Sequence, residues 1–181
     1  MKKYLLTAFI AAALFPQLHA RVRVDIQSSQ VTVKDIQAQG MTIGTTPAKA
    51  VENISRAVLI SGNSGKEWKK YQFSFVPEKE GRVALRFHTP GARNAAMIKN
   101  ILLDSVNVEG GTLLNGGFEI MHNGKLSNWG LGAKGKIVST GAYEGKQCVQ
   151  LCFSSGMATQ IMVVTAGEKV TVTFMAKSAD L

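Results

Sequence analysis

The sequence predicts an all-β domain of the sandwich or barrel type, from three observations. Apolar and polar residues alternate with a period of two along much of the chain, as in Val22, Val24 and Ile26. Gly, Pro, Asn and Ser separate these alternating runs, which is typical of strands joined by turns. No βαβ rhythm and no long amphipathic helix pattern is present, which disfavours a nucleotide-binding α/β fold.

About eight or nine strands are expected from these runs. After the first run, the strand-forming segments are residues 31–33, 71–75, 83–87, 98–108, 149–153, 161–163 and 170–174. A short helix is expected over residues 47–56. The only obvious joint is the glycine-rich segment 109–112, so we expect a single domain over residues 21–181.

Residues 1–20 have the layout of a secretory signal peptide. Two lysines precede an apolar run over residues 4–15, a proline follows it, and Leu18-His19-Ala20 forms an acceptable cleavage end. The alternative is a membrane anchor, but this run is shorter than the roughly 20 residues that span a bilayer. The sequence therefore predicts a secreted or periplasmic protein without a membrane span, with a mature chain that begins at Arg21.

The chain is basic, with a formal net charge of +9 at pH 7, which falls to +7 when the two lysines of the leader are removed. A basic exported protein can meet anionic glycans, envelope surfaces or nucleic acid. After the leader, however, the longest basic run is Lys69-Lys70. No tract resembles a nucleic-acid patch, so a nucleic-acid partner is not expected.

The two cysteines, Cys148 and Cys152, lie in one alternating run. Residues four apart in a strand are separated by about 13 Å, whereas a disulfide needs Cα atoms within about 7 Å. Two buried free thiols are favoured, and a disulfide would require an intervening bulge or turn. No CxxC metal or redox pattern is present.

No pattern for catalysis is present. Beyond the leader the only histidines are His88 and His122, and neither has flanking ligand spacing, so each is interpreted as a surface residue. No nucleophile elbow, HExxH or P-loop occurs. The acids are scattered, and their spacing nominates no glycosidase pair. The protein is expected not to be an enzyme, and no catalytic residue is assigned.

Residues 114–177 contain a series of short motifs in a fixed order. Asn115-Gly116-Gly117-Phe118-Glu119 comes first, and Trp129 follows. A Gly-Ala-Tyr-Glu-Gly-Lys segment over residues 141–146 leads into an alternating strand, and the last strand ends in Ala176-Lys177. This order resembles the front half of a large group of bacterial carbohydrate-binding modules, which have a galactose-binding-like jelly roll of two antiparallel sheets.

Residues 21–109 resemble the back half of the same modules. The marker is Trp-Lys-Lys-Tyr-Gln-Phe-Ser-Phe over residues 68–75, and the closing strand contains Leu103-Asp104-Ser105-Val106. The two halves, 21–109 and 113–181, thus appear in reversed order. Every element of the modules appears once and none appears twice, so we interpret the chain as a circularly permuted jelly roll. Such a permutation is tolerated because domain termini usually lie close together. The alternative is the tail of one module followed by the head of another.

The resemblance implies a structural calcium ion. Glu119 of the Asn-Gly-x-Phe-Glu motif and Asp104 of the closing strand match its acidic ligands, and Gly117 and Lys146 match positions that contribute backbone carbonyls. Ca²⁺ takes six to eight oxygen ligands, which two carboxylates, carbonyls and water can supply. The alternative is that Asp104 begins a turn and Glu119 is a solvated acid at a strand edge.

A saccharide site needs aromatic faces and planar polar groups. Tyr143 lies in a glycine-flanked loop and is the best candidate for a ligand contact. Trp68 and Trp129 are further candidates, although they match positions that usually pack the core or its rim. Arg86 and Gln150 project opposite the apolar rows of their strands and can line a sheet face.

The sequence therefore predicts an exported, non-catalytic, calcium-stabilised module that binds an oligosaccharide or polysaccharide. The alternative is a structural or adhesive module that contacts a protein or a cell-envelope component without binding sugar. The few aromatic residues and the basic surface fit this alternative, or an acidic glycan, as well as they fit a neutral sugar.

Overall fold

The computed structural model describes residues 20–45, 56–89, 100–152 and 156–179. These residues contain fourteen β-strands. The strands are β1 (Ala20–Ser28), β2 (Val33–Gln39), β3 (Thr42–Thr45), β4 (Arg56–Ser64), β5 (Lys69–Pro77), β6 (Gly81–His88), β7 (Ile101–Glu109), β8 (Met121–His122), β9 (Lys125–Leu126), β10 (Gly130–Leu131), β11 (Lys136–Val138), β12 (Cys148–Leu151), β13 (Ala158–Val164) and β14 (Val170–Ser178).

Two six-stranded sheets form the architecture. Sheet A has the order β10-β13-β6-β1-β4-β3, and sheet B has the order β11-β12-β7-β14-β5-β2. All strand pairs within them are antiparallel. Strands β8 and β9 form a separate small hairpin. The prediction of an all-β sandwich with two antiparallel sheets is confirmed.

The core lies between the sheets because alternate side chains of each strand point inward. Along β14, buried and half-buried residues alternate from end to end. Val22, Val24 and Ile26 of β1 are buried in the same core cluster, as predicted. The rings of Phe87 on β6 and Phe174 on β14 meet edge to face with centroids 5.2 Å apart, which joins sheet A to sheet B.

Most predicted strands are present, but the structure has six further strands, which are β3, β4 and the short strands β8 to β11. Strands β3 and β4 have no counterpart in the predicted segments, although β4 pairs with β1 over its whole length. Its apolar residues 57–60 are consecutive and give no period of two. The helix expected over residues 47–56 lies outside the described residues, apart from Arg56, which begins β4.

The two halves of the chain interleave in both sheets. Strand β14 lies between β7 and β5, and β13 lies beside β6, so neither half forms its own sheet. Ala20, at the start of β1, pairs with Ser64. At the end of β14, the Ser178 N–H donates to the carbonyl of Gly65. The start of β1 and the end of β14 therefore lie beside the same turn.

Both cysteines are free thiols, as predicted, but only Cys148 is buried and Cys152 is half-buried. Strand β12 ends at Leu151, and Cys152 forms an isolated bridge with Gly156. Burial raises the pKa of the Cys148 thiol to about 11, and the negative charge of nearby Asp104 adds to this effect.

Candidate functional site

Asp104 lies at a β-bulge in the middle of sheet B. It pairs with Met175, whereas Asn107 pairs with Thr173, so two residues of β7 stand opposite a single residue of β14. The bulge is accompanied by a left-handed Ser105, with φ of 47°. Leu103 faces the core, so Asp104 projects on the outer face of the sheet. It is nevertheless 0% exposed.

Asp104 is buried because the loop 143–147 is hydrogen-bonded over it. Its Oδ2 accepts the backbone N–H of Tyr143 at 2.8 Å and that of Glu144 at 3.2 Å. Its Oδ1 accepts the N–H of Ser105 at 2.7 Å. Burial raises the pKa of this carboxyl, and the negative charge of Glu119 raises it further, while the three N–H donors oppose the shift. Among the described residues, no cationic side chain forms an ion pair with it.

Glu119 holds the other end of the same loop. Its Oε1 accepts the backbone N–H groups of Lys146 at 2.9 Å and Gln147 at 3.0 Å. The loop approaches this carboxylate closely at Gly145, where a Cβ would lie 2.4 Å from Oε1. Gly145 also has φ of 72°. A side chain at this position would therefore meet both backbone strain and a direct clash.

The four residues of the predicted metal site lie around this loop. Asp104 and Glu119 interact electrostatically, Lys146 donates its N–H to Glu119, and Gly117 precedes Glu119 by two residues. A carboxylate offers about four acceptor positions. Asp104 accepts three hydrogen bonds and Glu119 accepts two. Each carboxylate therefore keeps at least one oxygen lone pair for a hard cation. A buried carboxylate without a cationic partner also fits such an ion. Within the described ranges, however, no cluster of three or more His, Cys, Asp or Glu side chains could hold a metal.

An aromatic pair lies next to the carboxylates. The rings of Trp68 and Tyr143 meet edge to face, with centroids 5.8 Å apart and an interplanar angle of 64°. The Lys177 ammonium lies 4.9 Å from the centroid of the Trp68 ring, within cation–π range. Tyr143 remains 50% exposed, so one large part of its ring faces solvent. Its backbone is held by Asp104, which fixes the loop that carries the ring.

Gln150 lies on the same outer face of sheet B. It pairs with Leu102 on β7, and Leu102 pairs with Lys177 on β14, so the three side chains form one row across the sheet. Three of the five predicted ligand residues, Trp68, Tyr143 and Gln150, are thus brought to one face.

A polar pocket of about 200 Å³ opens farther along this face. Gln39 pairs with Gln72, and Gln37 pairs with Ser74, so β2 and β5 present three amides side by side. Lys169 completes the polar lining. Gln72 is four residues from Trp68, so the pocket lies roughly 13 Å from the aromatic pair along the strand direction. Gln37 and Gln39 were not predicted as site residues, because β2 shows only weak alternation and contains a register shift.

Trp129 is a core residue, which corrects its place among the candidate ligand contacts. It is 6% exposed, and its ring contacts the rings of Phe87 and Phe118. Its indole N–H donates to the carbonyl of Asn115 at 2.9 Å. Because its faces and its donor are engaged inside the protein, almost none of this side chain is available to a saccharide.

Arg86 lies on the opposite side of the sandwich. It belongs to β6 in sheet A, where it pairs with Asp25 of β1 and Thr159 of β13. The two histidines differ in exposure. His122 is exposed, as expected. His88 is half-buried, and its Nε2 lies 3.2 Å from Asp25 Oδ1. The structure therefore divides the predicted ligand residues between two faces and the core.

The chain matches no protein-family profile, and neither curated proteins nor solved structures gave a match. The resemblance to carbohydrate-binding modules therefore depends on the sequence motifs themselves. In the part of the chain that the structure describes, no helix has the length and apolar character needed to cross a membrane.

Proposed function

We propose that this protein is an exported, non-catalytic carbohydrate-binding module whose saccharide site is the outer face of sheet B. The observation that carries the proposal is the Trp68–Tyr143 pair, in which a half-exposed aromatic ring is fixed by a second ring and by a buried carboxylate. Such a ring can bind the apolar face of a pyranose at little cost in conformational entropy.

The amide-lined pocket supports the same proposal. Gln37, Gln39 and Gln72 each carry a carbonyl acceptor and an NH₂ donor, which match sugar hydroxyl groups. A chain of sugar rings that stacks on Tyr143 can extend along β5 toward these amides. An aromatic contact at one end and polar contacts at the other are the usual composition of a small-ligand site.

A calcium ion is proposed as a structural component of this site. Asp104 and Glu119 would contribute carboxylate oxygens to it, and Gly117 and Lys146 backbone carbonyls. Bound there, calcium would neutralise two adjacent negative charges, one of which is buried. The ion would thereby stabilise the loop 143–147 and the orientation of Tyr143. It would not need to contact the sugar.

The second candidate function is a structural or adhesive module that contacts a protein or the cell envelope. Ile161 and Val163 favour it, since they project from β13 and are 53% and 60% exposed. Exposed apolar side chains that lie together are common at protein contacts.

A glycan array in calcium-containing buffer tests the proposal. We expect selective binding that free sugar competes away and that Tyr143→Ala abolishes. Ile120→Ala is the matched control, because Ile120 is 58% exposed, close to the 50% of Tyr143, and is not one of the proposed ligand residues. A blank array from a folded sample would contradict the carbohydrate function and favour the structural module.

A further inference from the structure

The outer face of sheet A concentrates arginine residues on two adjacent strands. The outward positions of β1 are Arg21, Arg23, Asp25 and Gln27, and those of β6 are Arg82, Ala84, Arg86 and His88. On these two strands, four guanidinium groups thus share the outer face with one carboxylate. The arginines are far apart in the sequence, so the clustering is produced by the pairing of β1 with β6.

The single carboxylate of this face is already engaged. Asp25 Oδ1 lies 3.2 Å from His88 Nε2, and Asp25 Oδ2 accepts the side-chain amide of Gln27 at 3.4 Å. Asp25 cannot neutralise all four arginines. Arg23 Nε is shielded from solvent and has no hydrogen-bond partner among the described residues. The face therefore keeps an excess of positive charge.

An apolar ledge, formed by Ile161, Val163 and Ala84, borders the arginines. On β13, Ile161 pairs with Ala84 and Val163 pairs with Arg82, so two exposed aliphatic side chains lie directly beside β6. Arg82 and Arg86 project from the same face about 13 Å apart, on either side of Ala84. A ligand that lies across this face would meet aliphatic surface between separated guanidinium groups.

We infer that the outer face of sheet A binds an anionic saccharide through its carboxylate or sulfate groups. Guanidinium groups bind both anions with paired N–H donors. The ledge of Ile161, Val163 and Ala84 accommodates the C–H faces of the sugar rings between the charged groups. This site uses a different face, and different chemistry, from the proposed site on sheet B, and it does not depend on Trp68 or Tyr143.

An acidic polysaccharide fits this face better than duplex DNA or an anionic membrane surface does. Base edges of duplex DNA are reached by an element that enters a groove, and the outward side chains here belong to a sheet face. Adsorption to a membrane surface typically uses an amphipathic helix with Trp, Phe or Leu on its apolar side. The ledge contains only short aliphatic side chains. Alternating charge and aliphatic surface matches a chain of acidic sugars.

Binding of the full-length chain to polygalacturonate, dextran sulfate and uncharged dextran tests the inference. We expect binding to at least one of the two anionic polymers, no binding to dextran, and weakening as salt is raised. The double variant Arg23→Gln/Arg82→Gln should raise the Kd about tenfold or more, because each lost guanidinium removes charge-assisted hydrogen bonds. Preference for polygalacturonate assigns the site to carboxylate groups, and preference for dextran sulfate to sulfate groups.

The matched control is Lys34→Gln/Lys125→Gln, which removes the same charge from exposed positions outside sheet A. Equal weakening by this control would overturn the inference, because it would show a response to net charge alone. Tighter binding to duplex DNA or to phosphatidylglycerol vesicles than to both anionic polymers would overturn it as well. The double variant Arg23→Gln/Arg82→Gln should leave the binding of uncharged glycans on the array unchanged, so that failure here and failure of the site on sheet B are distinguishable.

Discussion

Asp104 and Glu119 accept hydrogen bonds from opposite ends of one loop, Asp104 from Tyr143 and Glu144 and Glu119 from Lys146 and Gln147. The two carboxylates thereby fix the backbone that carries the exposed aromatic ring. Since the loop makes these contacts through its N–H groups, the side chain of Tyr143 stays free to meet a ligand. Changes at either carboxylate should therefore affect both the stability of the protein and the proposed binding of saccharide at Tyr143.

Gly145→Ala should destabilise the protein more than Gly167→Ala. Both glycines have positive φ, 72° and 74°, so each change costs about 1–2 kcal/mol of backbone strain. Only the Cβ at position 145 meets Glu119, at 2.4 Å from Oε1, whereas nothing lies within 4 Å at position 167. We expect about 1–3 kcal/mol more loss at position 145. Urea denaturation measures both, and equal losses would show that Glu119 does not hold the loop.

The stability of the calcium-free protein should fall as pH rises through the raised pKa of Asp104. This carboxyl holds its proton to higher pH in the folded state than in the unfolded state, so the folded state binds more protons in that window. Urea denaturation in a chelator, at several pH values above the ordinary carboxyl range, measures the slope. Asp104→Asn removes the titration and should flatten it. An unchanged slope in Asp104→Asn would assign the dependence to another group.

Calcium should raise the Tm of the protein, and Glu119→Gln should weaken this effect. A glutamine keeps a carbonyl acceptor for the N–H groups of Lys146 and Gln147 and loses only the charge that a cation needs. At about 100 times its Kd, a ligand adds roughly 2.7 kcal/mol to the free energy of unfolding. Magnesium should give a smaller shift, because it requires a stricter octahedral geometry. An equal calcium shift in Glu119→Gln would place the ion elsewhere.

Cys148 should resist thiol reagents in the folded protein. Burial raises its pKa to about 11, so little thiolate is present at pH 8. In a Cys152→Ala variant, Ellman's reagent should react with Cys148 only as the protein unfolds in urea. Cys148→Ala leaves the half-buried Cys152 for comparison. Reaction of Cys148 at the rate of a free thiol without urea would contradict its burial.

The alternation of residues predicts a strand well where that strand buries one face only. This holds for β1, β6 and β14, whose inward rows are buried as predicted. It fails for β4, in which four apolar residues are consecutive. Periodicity alone does not distinguish a strand from a helix in such a run.

Only those residues of the candidate sites that belong to short sequence motifs could be predicted from the sequence. The positions of Asp104 and Glu119 follow from short motifs, and the structure brings both to one loop. The contact of Trp68 with Tyr143, and the assembly of arginines from β1 and β6, depend on strand pairing between distant segments. Register sets such neighbours, and alternation alone does not specify it.

The place of β14 in sheet B has a consequence for the order of folding. It is paired on both sides, with β7 and β5, and it follows both of them in the chain. Until residues 170–178 have been synthesised, β5 and β7 each have an unpaired edge, and sheet B remains in two pieces. The sandwich therefore cannot assemble progressively from its N-terminal strands. The core between the two sheets stays open on the side of sheet B until β14 has been made.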